Sequence, residues 1–156
     1  MAGRFVPGKL IAWIVTLIGA LAGAVAIWQY YISTTPFDIS GAWTIEDKIQ
    51  QTSYRPYEGA SETFSVNFTQ NGTRFTGAGN KSSFAGKTLI GAARTPIEIR
   101  GTVDRRGRIH ATFVSKGELR QSSGGLDWQV SKDPNRWTGT FNSDAAAESG
   151  SSILRR

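Results

Sequence analysis

From Ile39 to the C-terminus, apolar side chains recur at every second position in short runs separated by turn residues, and helical periodicity is absent. Successive side chains of a strand point to opposite faces, so such a chain folds by burying one face of many short strands. Ile39, Trp43, Ile45 and Ile49 share one face of the first run; Phe64, Val66 and Phe68 share one face of the second, with Thr63, Ser65, Asn67 and Thr69 opposite. Asn71-Gly72 predicts a two-residue type I′ hairpin, whose central positions both need positive φ, leading into Phe75, Gly77 and Gly79. Ile97, Ile99 and Val103 follow, then a turn at 104–107, then Ile109, Ala111 and Phe113. Leu126, Trp128 and Val130 precede a turn at 133–135, and Trp137, Gly139 and Phe141 come after it. With the stretches 117–123 and 151–155 the count is about eight strands, which predicts an all-β, antiparallel up-and-down barrel over 39–156. An open β-sandwich is the competing architecture. Glycines 77, 79, 101 and 139 fall on the inward register, where they relieve crowding or bend strands. The irregular stretch 80–96 reads as a short strand with loops, or as a lid over one barrel mouth.

Upstream, residues 10–32 carry no charge, and a helix of that length covers roughly 35 Å, enough for a bilayer core. Trp13 near one end and Trp28, Tyr30 and Tyr31 near the other fit aromatic belts at the two interfaces. The expectation is a 1–9 tail, a single transmembrane helix over 10–32, a tether at 33–38, and a barrel held at a bacterial inner membrane. A cleaved signal peptide ending near Ala20-Leu21-Ala22 is the rival, but the apolar stretch continues well past it. Gly19 and Gly23 form a GxxxG that Ala12 and Thr16 extend at helical spacing, so two such helices can pack closely and a homo-oligomer is expected. Arg4 and Lys9 before the helix, against Lys48 among Asp38, Glu46 and Asp47 after it, lean toward an exported barrel, leaving its side of the membrane open.

The inventory of reactive groups is short. The chain has no cysteine and one histidine, His110, so disulfides, Cys/His zinc sites and thiol nucleophiles are excluded, and no metal or cofactor is expected. His110 alternates with the inward Ile109 and Ala111 and points outward. Glu46 and Asp47 are adjacent and go to opposite faces, and Glu98 and Asp127 have no identifiable carboxylate partner. A non-enzyme is expected.

Binding is better supplied. From residue 33 onward there are 16 Lys and Arg against 12 acids, a mild excess favouring anionic partners or lipid headgroups, and no double-stranded nucleic acid is expected. Small barrels hold one ligand in an end mouth. Trp43, Trp128 and Trp137, with Tyr54 in the first long connection, supply flat surfaces, and Arg74, Arg94 and Arg100 supply guanidinium groups suited to phosphate. The competing assignment puts the tryptophans in the core and the arginines on the outer wall.

Gly41-Ala42-Trp43 at the head of such a barrel is similar to the Gly-x-Trp of lipocalin-like proteins, where the Trp plugs one barrel end and an Arg from a late strand stacks over it. That similarity implies Arg155 in the stacking role. The whole layout resembles the membrane effectors of bacterial CBASS anti-phage systems, the CD-NTase-associated proteins that join transmembrane helices to a minimal β-barrel (the SMODS-associating, β-strand-rich type). The resemblance implies a barrel that binds a cyclic oligonucleotide made by a partner CD-NTase, then oligomerises and disrupts the inner membrane so that the infected cell dies. Those effectors usually carry two membrane helices, where one is found here. Their barrel faces the cytoplasm, whereas the flanking charges here lean outward. An anchored lipocalin-like module for a small ligand, and an accessory subunit of a membrane complex, are the alternatives.

Overall fold

Alternation between inward and outward side chains is carried through eight long strands in the computed structural model, which describes residues 19, 21–28, 37–117 and 120–156. The chain divides into two units, Met1–Thr35 and Pro36–Arg156. In the first, Gly19 and Leu21 to Trp28 are helical, with Leu21, Val25, Ile27 and Trp28 exposed. The rest of the expected 10–32 span, with Ala12 and Thr16, lies outside the described residues. Among the described residues no helix is long and apolar enough to cross a membrane.

The second unit is built from β1 (Gly41–Gln51), β2 (Ser61–Asn71), β3 (Arg74–Phe84), the two-residue β4 (Lys87–Thr88), β5 (Pro96–Val103), β6 (Arg108–Lys116), β7 (Gln121–Val130), β8 (Arg136–Ser143) and β9 (Glu148–Arg155). Every pairing is antiparallel: β1 pairs with both β2 and β9, and β3 with both β2 and β5, so the eight long strands close into a barrel while β4 only extends one end of β3. Closure leaves none of the eight long strands as an unpaired sheet edge, which an open sandwich would have retained. The architecture is an eight-stranded antiparallel up-and-down barrel, compatible with a lipocalin-like fold.

Two local expectations need correction. The stretch 117–123 is not a separate strand: Gln121 opens β7, which runs unbroken to Val130. The Gly124-Gly125 pair that interrupts the apolar pattern is a point of close approach, since a Cβ at Gly124 would stand 1.9 Å from the Asn142 carbonyl oxygen and 2.6 Å from the Phe113 ring. The β2–β3 loop is Gly72-Thr73, with Asn71 still paired to Arg74. Only Gly72 has positive φ (61°), the sign pattern of a type II′ turn, so Asn71 stays in the strand. The 80–96 stretch contains the end of β3, β4 and a 3₁₀ turn at Gly91–Ala93.

The interior is apolar along most of its length. Ile39, Ile45, Ile49, Ile99, Ile109 and Leu154 are fully buried, each stabilising the fold by roughly 1.5–3 kcal/mol relative to exposure. One end is sealed. Trp43 and Trp137 meet edge-on at 6.4 Å, Phe37 closes on Trp137 at 5.7 Å, and both indole N–H groups donate to backbone carbonyls, Trp43 to Ile39 (2.7 Å) and Trp137 to Pro134 (3.1 Å). The Trp43 plug carries an arginine, but it is Arg156, whose guanidinium carbon sits 5.1 Å from the ring centroid and whose side chain also donates to the Ser40 carbonyl. Alternation explains the correction: Leu154 points inward, so Arg155 points outward onto Glu46, and only the residue beyond the strand is free to fold over the plug.

Candidate ligand-binding site

At the opposite end the same alternation brings polar groups inside. Here the ends of β1, β3, β6 and β8 meet the beginnings of β2, β5, β7 and β9 around a cavity of about 290 Å³. Its apolar wall includes Ile45, Phe64, Ile97, Phe113, Leu126 and Phe141; its polar groups are Asp47, Glu62, Glu148, Lys81 and the hydroxyls of Ser115, Ser122 and Ser143.

Register puts the acids there. Asp47 follows Trp43 and Ile45 on the inward face of β1, Glu62 precedes Phe64 on that of β2, and Glu148 leads Gly150, Ser152 and Leu154 on that of β9. Asp47, Glu62 and Glu148 are only 5%, 9% and 6% exposed. Lys81 enters from β3, and a bulge changes the parity of that strand: Phe64 pairs with Lys81 but Thr63 with Ser83, so Lys81 and Phe84 both line the cavity. The Lys81 ammonium donates to Glu62 Oε1 at 2.7 Å and lies 5.3 Å and 5.5 Å from the Phe64 and Phe84 ring centroids.

One rung of the barrel ties the cavity floor to the core. Trp128, Gly139, Ser152, Asp47 and Glu62 are successive cross-strand partners on β7, β8, β9, β1 and β2. Because Gly139 has no side chain, the Trp128 indole reaches past β8 and donates to the Ser152 hydroxyl at 2.8 Å. Ser152 in turn is the cross-strand partner of Asp47, and its hydroxyl favours the ionised form of that carboxyl. Asp47 Oδ1 is buried and has no hydrogen-bond partner among the described residues. Burial pushes Asp47 up to about 7, with Glu62 adding to the rise while Ser152 and Lys81 oppose it. Glu148 is also raised, first by burial and then by Glu62, against Lys81 and Arg120.

The rim is braced and locally strained. Ser53, through its amide (2.7 Å) and hydroxyl (2.8 Å), and Thr52, through its hydroxyl (3.2 Å), all donate to the Ala146 carbonyl, strapping the β1–β2 connection to the β8–β9 connection. The Ser123 amide and hydroxyl hold the Asp144 carboxyl below the usual carboxylate range. Ala85, Ala146 and Ala147 adopt positive φ (48°, 51° and 48°), costing roughly 1–2 kcal/mol each, and all three lie in connections at this end.

The expected binding residues are not brought together. Trp43 and Trp137 are the sealed end, and Trp128 lies beneath the cavity floor with its N–H committed to Ser152. Tyr54 stands at the mouth, half-exposed, its ring 4.8 Å from Tyr57, which lines the cavity and meets Phe84 at 5.1 Å. Arg74, Arg94 and Arg100 are exposed on the outside of the unit. Arg94 donates to the Leu89 carbonyl, and Arg100 lines an outer groove with Asn67, Thr69 and Thr76. The acids were the missed signal: each occupies an inward register position, legible by counting in twos. Outside the barrel, Glu98 pairs with Lys116 at 2.7 Å, and Asp127 with His110, which points outward as expected.

Fold and site together define a class: a closed barrel with one aromatic-sealed end and one polar, acid-lined mouth. No protein-family model, no curated protein and no solved structure matches the chain.

Proposed function

We propose that the chain is a membrane-anchored receptor for a small ligand, which enters the barrel by the unsealed mouth while the 10–32 segment holds the chain at the bilayer. The observation that carries this reading is the cavity of about 290 Å³ at that end, close to the lower size of small-molecule pockets, where an aromatic and aliphatic wall meets a set of charged and hydroxyl groups. Titrating the full chain in detergent with the neutral apolar fluorophore N-phenyl-1-naphthylamine tests it. One saturable site is expected, lost in Ser122→Trp, which fills the cavity. Absence of saturable binding to the folded protein overturns the reading.

A second reading, the effector role that the CBASS resemblance implies, draws on a different observation. Among the described residues, a Cβ added at Gly19 or Gly23 would meet nothing within 4 Å, which agrees with a small-residue helix face that a second copy could pack against. In this reading an anionic cyclic nucleotide engages the Arg100 groove and drives oligomerisation and membrane damage. Oligomer size measured with and without cyclic di- and trinucleotides decides it: growth with one of them supports the role, and no response to any of them removes it.

A further inference from the structure

Resting on the receptor reading, we propose that the ligand is an organic cation: a protonated amine on a small apolar body, its head seated among Asp47, Glu62 and Glu148 and its body against Phe64, Phe113 and Phe141.

The balance of charge inside the cavity carries this. Three carboxyl groups line it against one cation, and the Lys81 ammonium is already engaged by Glu62. An anionic ligand would add like charge to a poorly hydrated acidic site, where opposition is strong. A neutral apolar ligand would leave Asp47 Oδ1 as it stands, buried and without a partner among the described residues. An ammonium brings up to three donors and a positive charge to that oxygen, and the Phe64, Phe84 and Phe113 rings of the wall also favour a cation. The cation is organic rather than metallic, because among the described residues no three acidic or histidine side chains stand close enough to hold a metal ion. Asp47 and Glu62 are cross-strand neighbours on one rung while much of the remaining wall is apolar, which suits a charged head attached to an apolar body.

Uptake on this geometry is coupled to protons. The groups facing Asp47 are Glu62 from β2, Lys81 from β3, Glu148 and Ser152 from β9, and Tyr57 from the β1–β2 connection. With the head absent, burial favours the protonated acid; with it present, the ionised acid is favoured, so the amine binds more tightly as pH rises.

The test is a set of three near-isosteric ligands, 4-phenylbutylamine, 4-phenylbutanol and 4-phenylbutyrate, each displacing N-phenyl-1-naphthylamine from the full chain. At about pH 8 the amine is expected to bind about tenfold or more tighter than the alcohol, with the carboxylate weakest, and by about pH 5.5 most of that advantage is gone. Asp47→Asn should remove the preference for the amine over the alcohol at about pH 8, and Glu148→Gln should reduce it if the first variant fails to fold. Alcohol or carboxylate binding as tightly as the amine, with the neutral fluorophore still bound saturably, overturns the cation inference and leaves the receptor standing. A cyclic dinucleotide that displaces the fluorophore better than the amine overturns it too. Failure of the fluorophore itself to bind removes the receptor reading first.

Discussion

The two ends of the barrel are made from the same eight strands and the same two-residue period, yet one is sealed by aromatic side chains and the other encloses a cavity. At the sealed end the inward positions hold Trp43, Phe68, Phe75 and Trp137, the indole N–H groups find backbone carbonyls, and Arg156 covers the plug. At the mouth the inward positions hold Asp47, Glu62, Lys81 and Glu148, one buried oxygen is unpartnered among the described residues, and three alanines sit in a left-handed backbone conformation. A core built for stability would avoid all three features. Stability has been invested at one end and given up at the other, and the end that gives it up contains the cavity.

The largest effect expected from breaking this contrast is at the sealed end. Trp137→Ala removes the largest of the fully buried side chains among the described residues and should cost about 3–5 kcal/mol in urea unfolding, a large part of the stability of a domain this size. Phe113→Ala, at the cavity wall, enlarges a space that already exists and should cost less than the same range. Equal losses would mean that the two ends are packed alike.

Next comes the pH dependence set by Asp47. Its folded value of about 7 lies above the ordinary aspartate value of about 3.9, so between those limits the folded state holds a proton that the unfolded state has released. The stabilisation is therefore fully present below the unfolded value and is lost as pH rises toward about 7, amounting to on the order of 4 kcal/mol. Asp47→Asn should flatten that slope, gaining stability at alkaline pH and little at acid pH, as read by thermal unfolding across pH. An Asp47→Asn protein that gains no stability over the wild type on going from acid to alkaline pH would contradict this sign.

The smallest effect tests the rim. Ala85 and Gly86 form the two-residue loop between β3 and β4, both with positive φ. Ala85→Gly should relieve about 1 kcal/mol of strain, offset in part by the greater freedom of glycine in the unfolded chain, for a net gain of a few tenths. Loss of stability instead would show that the Ala85 methyl makes a contact worth more than the strain.

Much of the molecule is legible from its alternation. Ile39, Trp43, Ile45 and Ile49 do share a buried face, His110 does point outward, and the barrel has its eight long strands. Even the polar site is written in the register, because Asp47 lies between Ile45 and Ile49, and Glu62 is two residues from Phe64. The conspicuous arginines and tryptophans lie elsewhere, on the outer wall and in the core, since residue type suggests chemistry but only strand parity says which side of the wall a group occupies. The bulge in β3 could not be read this way, because an extra residue changes parity without marking itself in composition.

By itself, then, the sequence determined the class of secondary structure, the inward and outward faces of most strands, and the presence of carboxyl groups on inward positions, because a period of two is a local property of an extended chain. Tertiary structure decided which strands meet. Pairing of β1 with β9 closed the barrel; the missing side chain at Gly139 let Trp128 reach Ser152 and so support Asp47; and the chain's last residue, not the one before it, reached Trp43. Those outcomes depend on groups far apart in the chain arriving at one rung or one rim, and only closure of the sheet brings them there.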